Sequence, residues 1–214
     1  MAAACSRAGR PADDVRLVAV TKTVGVDVMR VLHGLGVTDV GENRVQQASE
    51  KHAALGCSVG FHWHLIGHLQ RNKVRHALEF AERIHSVDSV RLAAEIDRRA
   101  ATLQRTVPVL LQCNTSGEES KFGIEPAELP AVLEAVLPLE HIRVDGLMTM
   151  APFVAEPETV RPVFAALREL RDEAQPRAGV PLPHLSMGMT QDFEVAIEEG
   201  ATMVRVGSAL YRGL

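Results

Sequence analysis

The sequence has few cysteines and no long apolar run, and it carries no excess of positive charge. Its three cysteines form no CxxC pair and no even set, which is typical of free thiols in a reducing cytoplasm. No window approaches the roughly 18 apolar residues that a membrane span needs, and residues 1–10 hold no signal-peptide core. The net charge of −4 gives no sign of a nucleic-acid partner. We therefore expect a cytoplasmic protein that binds neither membrane nor nucleic acid.

Lysine is also scarce, because the 23 basic residues comprise 19 arginines and only 4 lysines. One of them, Lys22, ends the run LVAVTK (17–22), whose β-branched residues predict a buried strand. Arginine keeps its proton near neutral pH, whereas a desolvated lysine can lose it and form a Schiff base. From this run alone, a strand-end lysine whose amine reaches water is the simpler interpretation.

Strand and helix patterns alternate along the whole chain. The predicted strands are 17–22, 37–43, 61–67, 83–89, 107–114, 142–150, 183–188 and 202–207. The predicted helices are 26–35, 44–55, 69–81, 90–103, 126–137, 157–174 and 189–200. Eight such repeats predict an α/β fold, a single (β/α)8 barrel of the TIM type, with residues 1–214 as one domain. An open doubly wound sheet is the alternative, but no GxGxxG motif follows the first strand.

Residues 1–14 end in the turn-rich segment AGRPADD. We interpret them as a lead-in to the first strand that contains the tail of an N-terminal helix.

Two loops near the C-terminus predict a phosphate site. In (β/α)8 barrels, function collects at the carboxyl ends of the strands, and phosphate often binds after strands seven and eight. Here those loops read SMGMT and RVGSA, each with a hydroxyl and a glycine that lets backbone amides approach an anion. The candidate residues are Ser186, Gly188, Arg205, Gly207 and Ser208. The alternative is that both glycines only form tight turns.

Strand alternation places Lys22 and Arg205 together. If Lys22 points into the barrel, Val18 and Val20 do so too, whereas an inward Arg205 leaves its two valine neighbours facing the helices. The first and last strands are neighbours in a closed barrel. A guanidinium beside the lysine would favour the free amine that Schiff-base formation requires.

Other chemistries fit the sequence less well. His62, His64 and His68 lie close in sequence, but no carboxylate or cysteine stands at metal-ligand spacing, so no metal site is predicted. Cys113 ends the fifth strand, where a buried free thiol is the simpler interpretation. Ser186 lies in HLSMG rather than in the GxSxG turn of a hydrolase.

The motifs LVAVTKT, VTDVGENRVQQ, FHWHLIGHLQRNKVR, IHSVDS, CNTSGEESKFGI, GLMTM, HLSMGMTQDFEVAI and VRVGSALY together resemble a known family. From about residue 8 onward, the chain is similar to the YggS/PROSC-type pyridoxal 5′-phosphate homeostasis proteins. These are single-domain relatives of the barrel half of alanine racemase. WHLIGHLQRNK and SMGMTQDFEVAI are the most specific of the motifs.

The resemblance implies a pyridoxal 5′-phosphate (PLP) site. Lys22 would carry PLP as a Schiff base, and Arg205 would face the pyridine nitrogen. The remaining implied site residues are Asn43 and Thr149 in the pocket, and Ser186, Gly188, Gly207 and Ser208 around the phosphate. An arginine at that nitrogen disfavours ring protonation and makes the cofactor a poor electron sink. The implied function is PLP homeostasis without appreciable catalysis, by a monomer whose recipients are PLP-dependent apoenzymes.

Two alternatives stay open. An amino-acid racemase needs a base on each face of the substrate, and the racemases resembled here take a tyrosine from a further C-terminal domain. The one tyrosine of this sequence is Tyr211. A Schiff-base lysine acting on a sugar phosphate, as in aldolases, would explain the phosphate loops but not the run of motifs.

Three departures from the family pattern are visible. TKT stands for the usual SKT, LYR (210–212) stands for IFG, and the N-terminal helix is shorter. The change at 210–212 affects the expected packing at the end of the barrel but leaves the phosphate loops intact.

Overall fold

The computed structural model describes residues 1–56, 59–118 and 122–211. Three parts of the sequence discussed above lie outside these ranges: Cys57, which is one of the three cysteines, residues 119–121 of the CNTSGEESKFGI motif, and Arg212 in the LYR segment. None of the described helices is long and apolar enough to cross a membrane.

Eight parallel strands close into a barrel, in which each strand pairs with the next and β1 pairs with β8. The strands are β1 (Arg16–Val20), β2 (Asp39–Glu42), β3 (His62–Leu65), β4 (Arg83–Val87), β5 (Val107–Gln112), β6 (Ile142–Met148), β7 (His184–Ser186) and β8 (Met203–Val206). The prediction of a (β/α)8 barrel is confirmed, and the open sheet is wrong. The observed strands lie within the predicted ones, except that β1 begins one residue earlier.

Helices cover the outside of the barrel, and one follows each strand from β1 to β7. The described helices are α1 (Ala2–Arg7), α2 (Val26–Gly34), α3 (Val45–Leu55), α4 (Val74–Ala77), α5 (Val90–Thr102), α6 (Leu129–Val136), α7 (Arg161–Ala178) and α8 (Phe193–Glu198). Short 3-10 turns at Arg71–Lys73, Pro126–Glu128 and Pro157–Val160 precede α4, α6 and α7.

The third predicted helix, 69–81, is longer than the structure allows. Only Val74–Ala77 is α-helical. The Arg105 guanidinium donates to the carbonyl oxygens of Leu78 at 3.0 Å and Ala81 at 2.7 Å. These contacts replace helical hydrogen bonds at that end, so the chain can turn early into β4.

Helix α1 lies in the segment that the sequence analysis interpreted as a lead-in containing the tail of an N-terminal helix. Arg7 forms ion pairs with Glu194 at 2.5 Å and Glu198 at 2.7 Å, both in or beside α8. Arg10 donates to the carbonyl oxygens of Ile197 and Ala201. The N-terminal segment is therefore fixed against the helix that leads into β8.

The barrel has an apolar outer layer and a mixed interior. Val204 and Val206 belong to the large core between strands and helices. Val18, Leu110, Met148 and Met203 form a separate buried cluster inside the barrel. Side chains alternate along each strand, so the interior set on β8 is Met203 and Arg205. Arg205 therefore points inward while Val204 and Val206 face the helices, which is the arrangement that the sequence analysis considered.

Gly146 permits the close approach of β6 and β7. Its φ is +153°, and a Cβ at this position would lie 1.9 Å from the carbonyl oxygen of His184. The register between β5 and β6 shifts at the same point. Glycine is therefore required where β6 bends toward β7.

Phe164 of α7 is fully buried between that helix and the barrel. We expect Phe164→Ala to lower the free energy of unfolding by about 3 to 5 kcal/mol, because it leaves a cavity in the outer core. Phe153→Ala is the matched control, since Phe153 is 82% exposed and should change stability little. Urea unfolding measures both. Equal losses for the two variants would contradict the burial of Phe164.

Candidate functional site

A cavity of about 590 Å³ opens at the carboxyl ends of the strands. Five of the predicted site residues line it: Lys22, Asn43, Arg205, Gly207 and Ser208. The volume lies in the range of roughly 300 to 1,000 Å³ that small-molecule sites occupy. The other three predicted residues, Thr149, Ser186 and Gly188, are buried behind the cavity wall.

Lys22 lies in the turn after β1, with an exposed side chain at the cavity wall. The residue before it is held on three sides. The Thr21 amide donates to the Gly41 carbonyl at 3.0 Å, and its hydroxyl donates to Glu42 Oε1 at 2.7 Å. The Thr21 carbonyl accepts from Lys51 Nζ at 2.7 Å. The lysine backbone is therefore fixed while its amine can reach both cavity and solvent.

Glu42 and Lys51 form a buried ion pair beneath this turn. Lys51 Nζ lies 2.7 Å from Glu42 Oε1, and the Glu42 side chain is completely buried. Sequence reasoning missed Lys51 because it stands in the middle of a polar helix, nine residues after Glu42. No sequence signal indicates that the Lys51 side chain extends from this helix to the turn after β1.

Arg205 forms the floor of the cavity. Its Nη1 donates to Ser186 Oγ at 2.6 Å, and its Nη2 donates to the Thr149 carbonyl at 2.8 Å. Burial lowers the pKa of Arg205 to about 10, which still leaves the guanidinium charged at neutral pH. Thr149 is fixed in turn, since its hydroxyl donates to the Cys113 carbonyl at 3.0 Å. A permanent, oriented cation therefore lies at the base of the site.

Ser186 lies deeper than the sequence suggested. It is fully buried, with its hydroxyl between Arg205 and His85, rather than in the loop after β7. Alternation points it into the barrel at the level of Arg205. Its contact with Arg205 makes it a partner of that guanidinium, away from the cavity surface.

The loops after β7 and β8 meet at the cavity wall. Gly207 N donates to Thr190 Oγ1 at 3.3 Å, and Ser208 is exposed beside it. Asp192 Oδ1 accepts from Met189 N at 2.5 Å. Burial raises the pKa of Asp192. Thr190 was missed by sequence reasoning, although it ends the quoted SMGMT motif.

Gly188 has a packing role in this arrangement. Its φ is +90°, and a Cβ there would lie 2.5 Å from the Ala196 methyl group. Its carbonyl accepts from the Arg205 amide at 3.0 Å. Glycine thus lets α8 lie against the end of β7, which brings the two loops together.

The remaining wall is mostly apolar. The residues that supply it are Val20, Ile66, Phe122, Met150, Phe153 and Met189. His68 stacks on Phe122, with ring centroids 4.1 Å apart, and its Nδ1 lies 3.1 Å from Asp88. An apolar cleft with a few polar groups, among them one amine and one guanidinium, is typical of a small-molecule site.

The three histidines considered for a metal have separate partners. His62 contacts Glu82 at 2.8 Å, His64 contacts Asp39 at 2.8 Å, and His68 contacts Asp88. Within the part of the chain that the structure describes, no group of three metal-ligating side chains converges.

Breaking the Glu42–Lys51 pair should be costly. We expect Lys51→Met to lower the free energy of unfolding by about 3 kcal/mol, because it leaves a buried carboxylate without its cation. The double variant with Glu42→Gln should recover much of that loss. Arg30→Met is the control, since Arg30 pairs with Asp27 on an exposed helix surface. Urea unfolding at neutral pH measures all three, and equal stabilities of the Lys51 and Arg30 variants would contradict the expectation.

Comparisons with known proteins agree with this architecture. Residues 2–214 match the family described as "Alanine racemase, N-terminal domain". The pyridoxal phosphate homeostasis protein of Aquifex aeolicus is 48% identical over 208 residues, which cover 97% of this chain and 91% of that protein.

Solved structures extend the comparison. PipY of Synechococcus elongatus PCC7942, with PLP bound, is 38% identical with a TM-score of 0.87, and the match covers 98% of this chain and 97% of that one. An alanine racemase of Clostridium difficile has a TM-score of 0.78 at 17% identity, and the match covers 98% of this chain and 57% of the racemase chain. At this identity the likeness shows the shared fold alone. The chain therefore belongs to the family of the alanine racemase N-terminal domain, among the relatives named pyridoxal phosphate homeostasis proteins.

Proposed function

We propose that this protein binds PLP covalently through Lys22 and takes part in PLP homeostasis without appreciable catalysis. The observation that carries the proposal is the meeting of Lys22, Arg205 and the Gly207 loop at one cavity. The Aquifex aeolicus relative is named for PLP homeostasis, and the PipY structure contains PLP, which supports the same ligand for this chain.

The residues present fit the cofactor. When bound, PLP supplies an aldehyde that condenses with a primary amine with release of water, and a ring that can withdraw electrons. Lys22 provides the amine. Thr190 and Ser208 offer hydroxyls to a phosphate beside Gly207, while Asn43 and Ile66 form the adjacent wall.

Arg205 supports holding rather than turnover. It donates to Ser186 and Thr149, and a guanidinium has five N–H donors, so others of its N–H groups would donate to a pyridine nitrogen. Because a guanidinium retains its protons, it leaves such a nitrogen unprotonated, and an unprotonated ring withdraws electrons weakly.

The cavity also lacks the residue types that a racemase in this family would add. Among its described lining residues, Lys22 is the only lysine, and there is no tyrosine. Tyr211 lies elsewhere, where burial and then the charge of Glu42 raise its pKa to about 12. The cavity lining also contains Asp192 and His68, and each has a partner within the protein. Asp192 accepts a backbone hydrogen bond, and His68 contacts Asp88.

We further propose that a cytoplasmic monomer delivers the cofactor to PLP-dependent apoenzymes. The exposed side chain of Lys22 supports transfer, because a reversible bond at the rim can be reached by a competing amine. The described cysteines, Cys5 and Cys113, are free and buried, as expected in a reducing compartment. Light scattering of the purified protein measures its oligomeric state.

Lys22→Ala should abolish covalent cofactor binding. The wild-type protein mixed with PLP should show a visible absorption band, and borohydride should trap one adduct on the peptide containing Lys22. Lys73→Ala is the control, because this lysine lies outside the cavity lining and should leave band and adduct unchanged. Spectroscopy and peptide mass analysis provide the readout. A colourless wild-type protein with no adduct on Lys22 would overturn the proposal.

Amino-acid turnover should be undetectable. With PLP-loaded protein and L-alanine, we expect no D-alanine above a protein-free control that contains PLP, since the ring facing Arg205 withdraws electrons weakly. Chiral chromatography measures the enantiomers. Accumulation of D-alanine that disappears in Lys22→Ala would favour the racemase instead.

A further inference from the structure

A column of buried polar side chains crosses the barrel beneath the cavity floor. Ser186 Oγ lies 2.8 Å from His85 Nδ1, and His85 Nε2 lies 2.8 Å from His64 Nδ1. His64 Nε2 lies 2.8 Å from Asp39 Oδ1. The two imidazoles are at most 2% exposed. The proposed function assigns no role to either histidine, although the column ends on the serine that Arg205 contacts.

The chemistry of its two ends fixes the direction of every hydrogen bond in the column. Arginine can only donate, so Ser186 Oγ accepts from Arg205. Burial keeps both imidazoles neutral, so each carries one N–H, and because His64 must use its N–H toward the Asp39 carboxylate, the serine gives its proton to His85 Nδ1. His85 then donates from Nε2 to His64 Nδ1. His64 donates from Nε2 to the Asp39 carboxylate, which can only accept when ionised. Both histidines are therefore neutral Nε2–H tautomers. Each hydrogen bond of the column then has one donor proton and one acceptor lone pair.

Burial, hydrogen bonds and nearby charges all act on the protonation of the column. Burial lowers the pKa of His64 and of His85, and the latter lies well below the usual range. Burial raises the pKa of Asp39, but hydrogen bonds from His64 and Thr38 outweigh that effect and lower it to about 2. The other charged or titratable groups acting on the column are Arg16, Arg83, His184 and Arg205.

We propose that His85 and His64 are positioning residues that commit the Ser186 hydroxyl proton away from Arg205 and thereby aim the guanidinium at the cofactor. This inference rests on the proposed function. With His85 as its acceptor, the serine can only present a lone pair to Nη1, so Arg205 is held by two acceptors, Ser186 Oγ and the Thr149 carbonyl. Without His85, the serine hydroxyl can rotate, and one of these two contacts is no longer fixed.

Replacing His85 tests the proposal directly. His85→Leu removes the acceptor of the serine proton, and we expect PLP affinity to fall about tenfold, because a hydrogen bond to the charged guanidinium is weakened. The absorption band of the bound cofactor should shift, since Arg205 sets the state of its ring. His85→Gln, which offers one donor and one acceptor, should restore affinity to within about threefold of wild type.

Absorption titrations with PLP give the affinities, and thermal unfolding shows that each variant is folded. If His85→Leu does not fold, the smaller change Ser186→Ala replaces it with the same expected loss. A folded variant with wild-type affinity and an unshifted band would overturn the proposal. If His85 had only a structural role, its replacement would lower stability without shifting the absorption band of the cofactor, and His85→Gln would not restore the PLP affinity.

A second measurement requires no cofactor. Nitrogen NMR of the imidazoles in the cofactor-free wild-type protein should show His64 and His85 as neutral Nε2–H tautomers from pH 5 to 8. A charged imidazole, or the opposite tautomer, would contradict the column even where PLP binds. The absence of a Lys22 adduct in the wild-type protein would instead contradict the proposed function. Failure of this inference and failure of the proposed function are therefore distinguishable.

Discussion

The charge of Arg205 inside the barrel is the constraint on which the site depends. A guanidinium that is 4% exposed must be solvated by the protein, since an unpaired buried charge is strongly destabilising. Ser186 and the Thr149 carbonyl supply that solvation from β7 and the end of β6. Each of these partners has its own hydrogen bonds, so the requirement extends through the interior to β2. The apolar cluster of Val18, Leu110, Met148 and Met203 is buried in the same interior.

Lys22 and Arg205, the two basic side chains of the cavity lining, are positioned by different means. Arg205 belongs to a strand and is immobilised by buried acceptors. Lys22 belongs to a turn whose backbone is fixed through Thr21 by Glu42 and Lys51, while its amine stays exposed. A rigid floor with a reachable amine matches a protein that holds a cofactor reversibly. In the proposed site, directional recognition at the base and a covalent contact at the rim would be separable properties.

Sequence reasoning predicted the features that depend on local periodicity, such as the strand order. It missed the contacts that form only when the barrel closes. Alternation along 202–207 linked an inward Arg205 to valines that face the helices, and the eight strand patterns were enough for the architecture. The depth of Ser186 was not predictable, because β7 has only three residues and its level is set by pairing with β6 and β8. The histidine column joins residues as far apart as 101 positions, His85 and Ser186, and no sequence spacing signals such a contact.

Strand β3 separates two environments one residue apart. His64 faces the interior column, whereas Trp63 faces the outer core, where its indole meets Phe61, Phe80 and His52 edge to face. Trp63 is the one tryptophan of the sequence, and it is 3% exposed. The protein thus contains a single tryptophan fluorophore, shielded from water and attached to the strand next to the cavity. Its emission can transfer energy to a chromophore bound above it, which makes the unlabelled protein an optical sensor of its own occupancy.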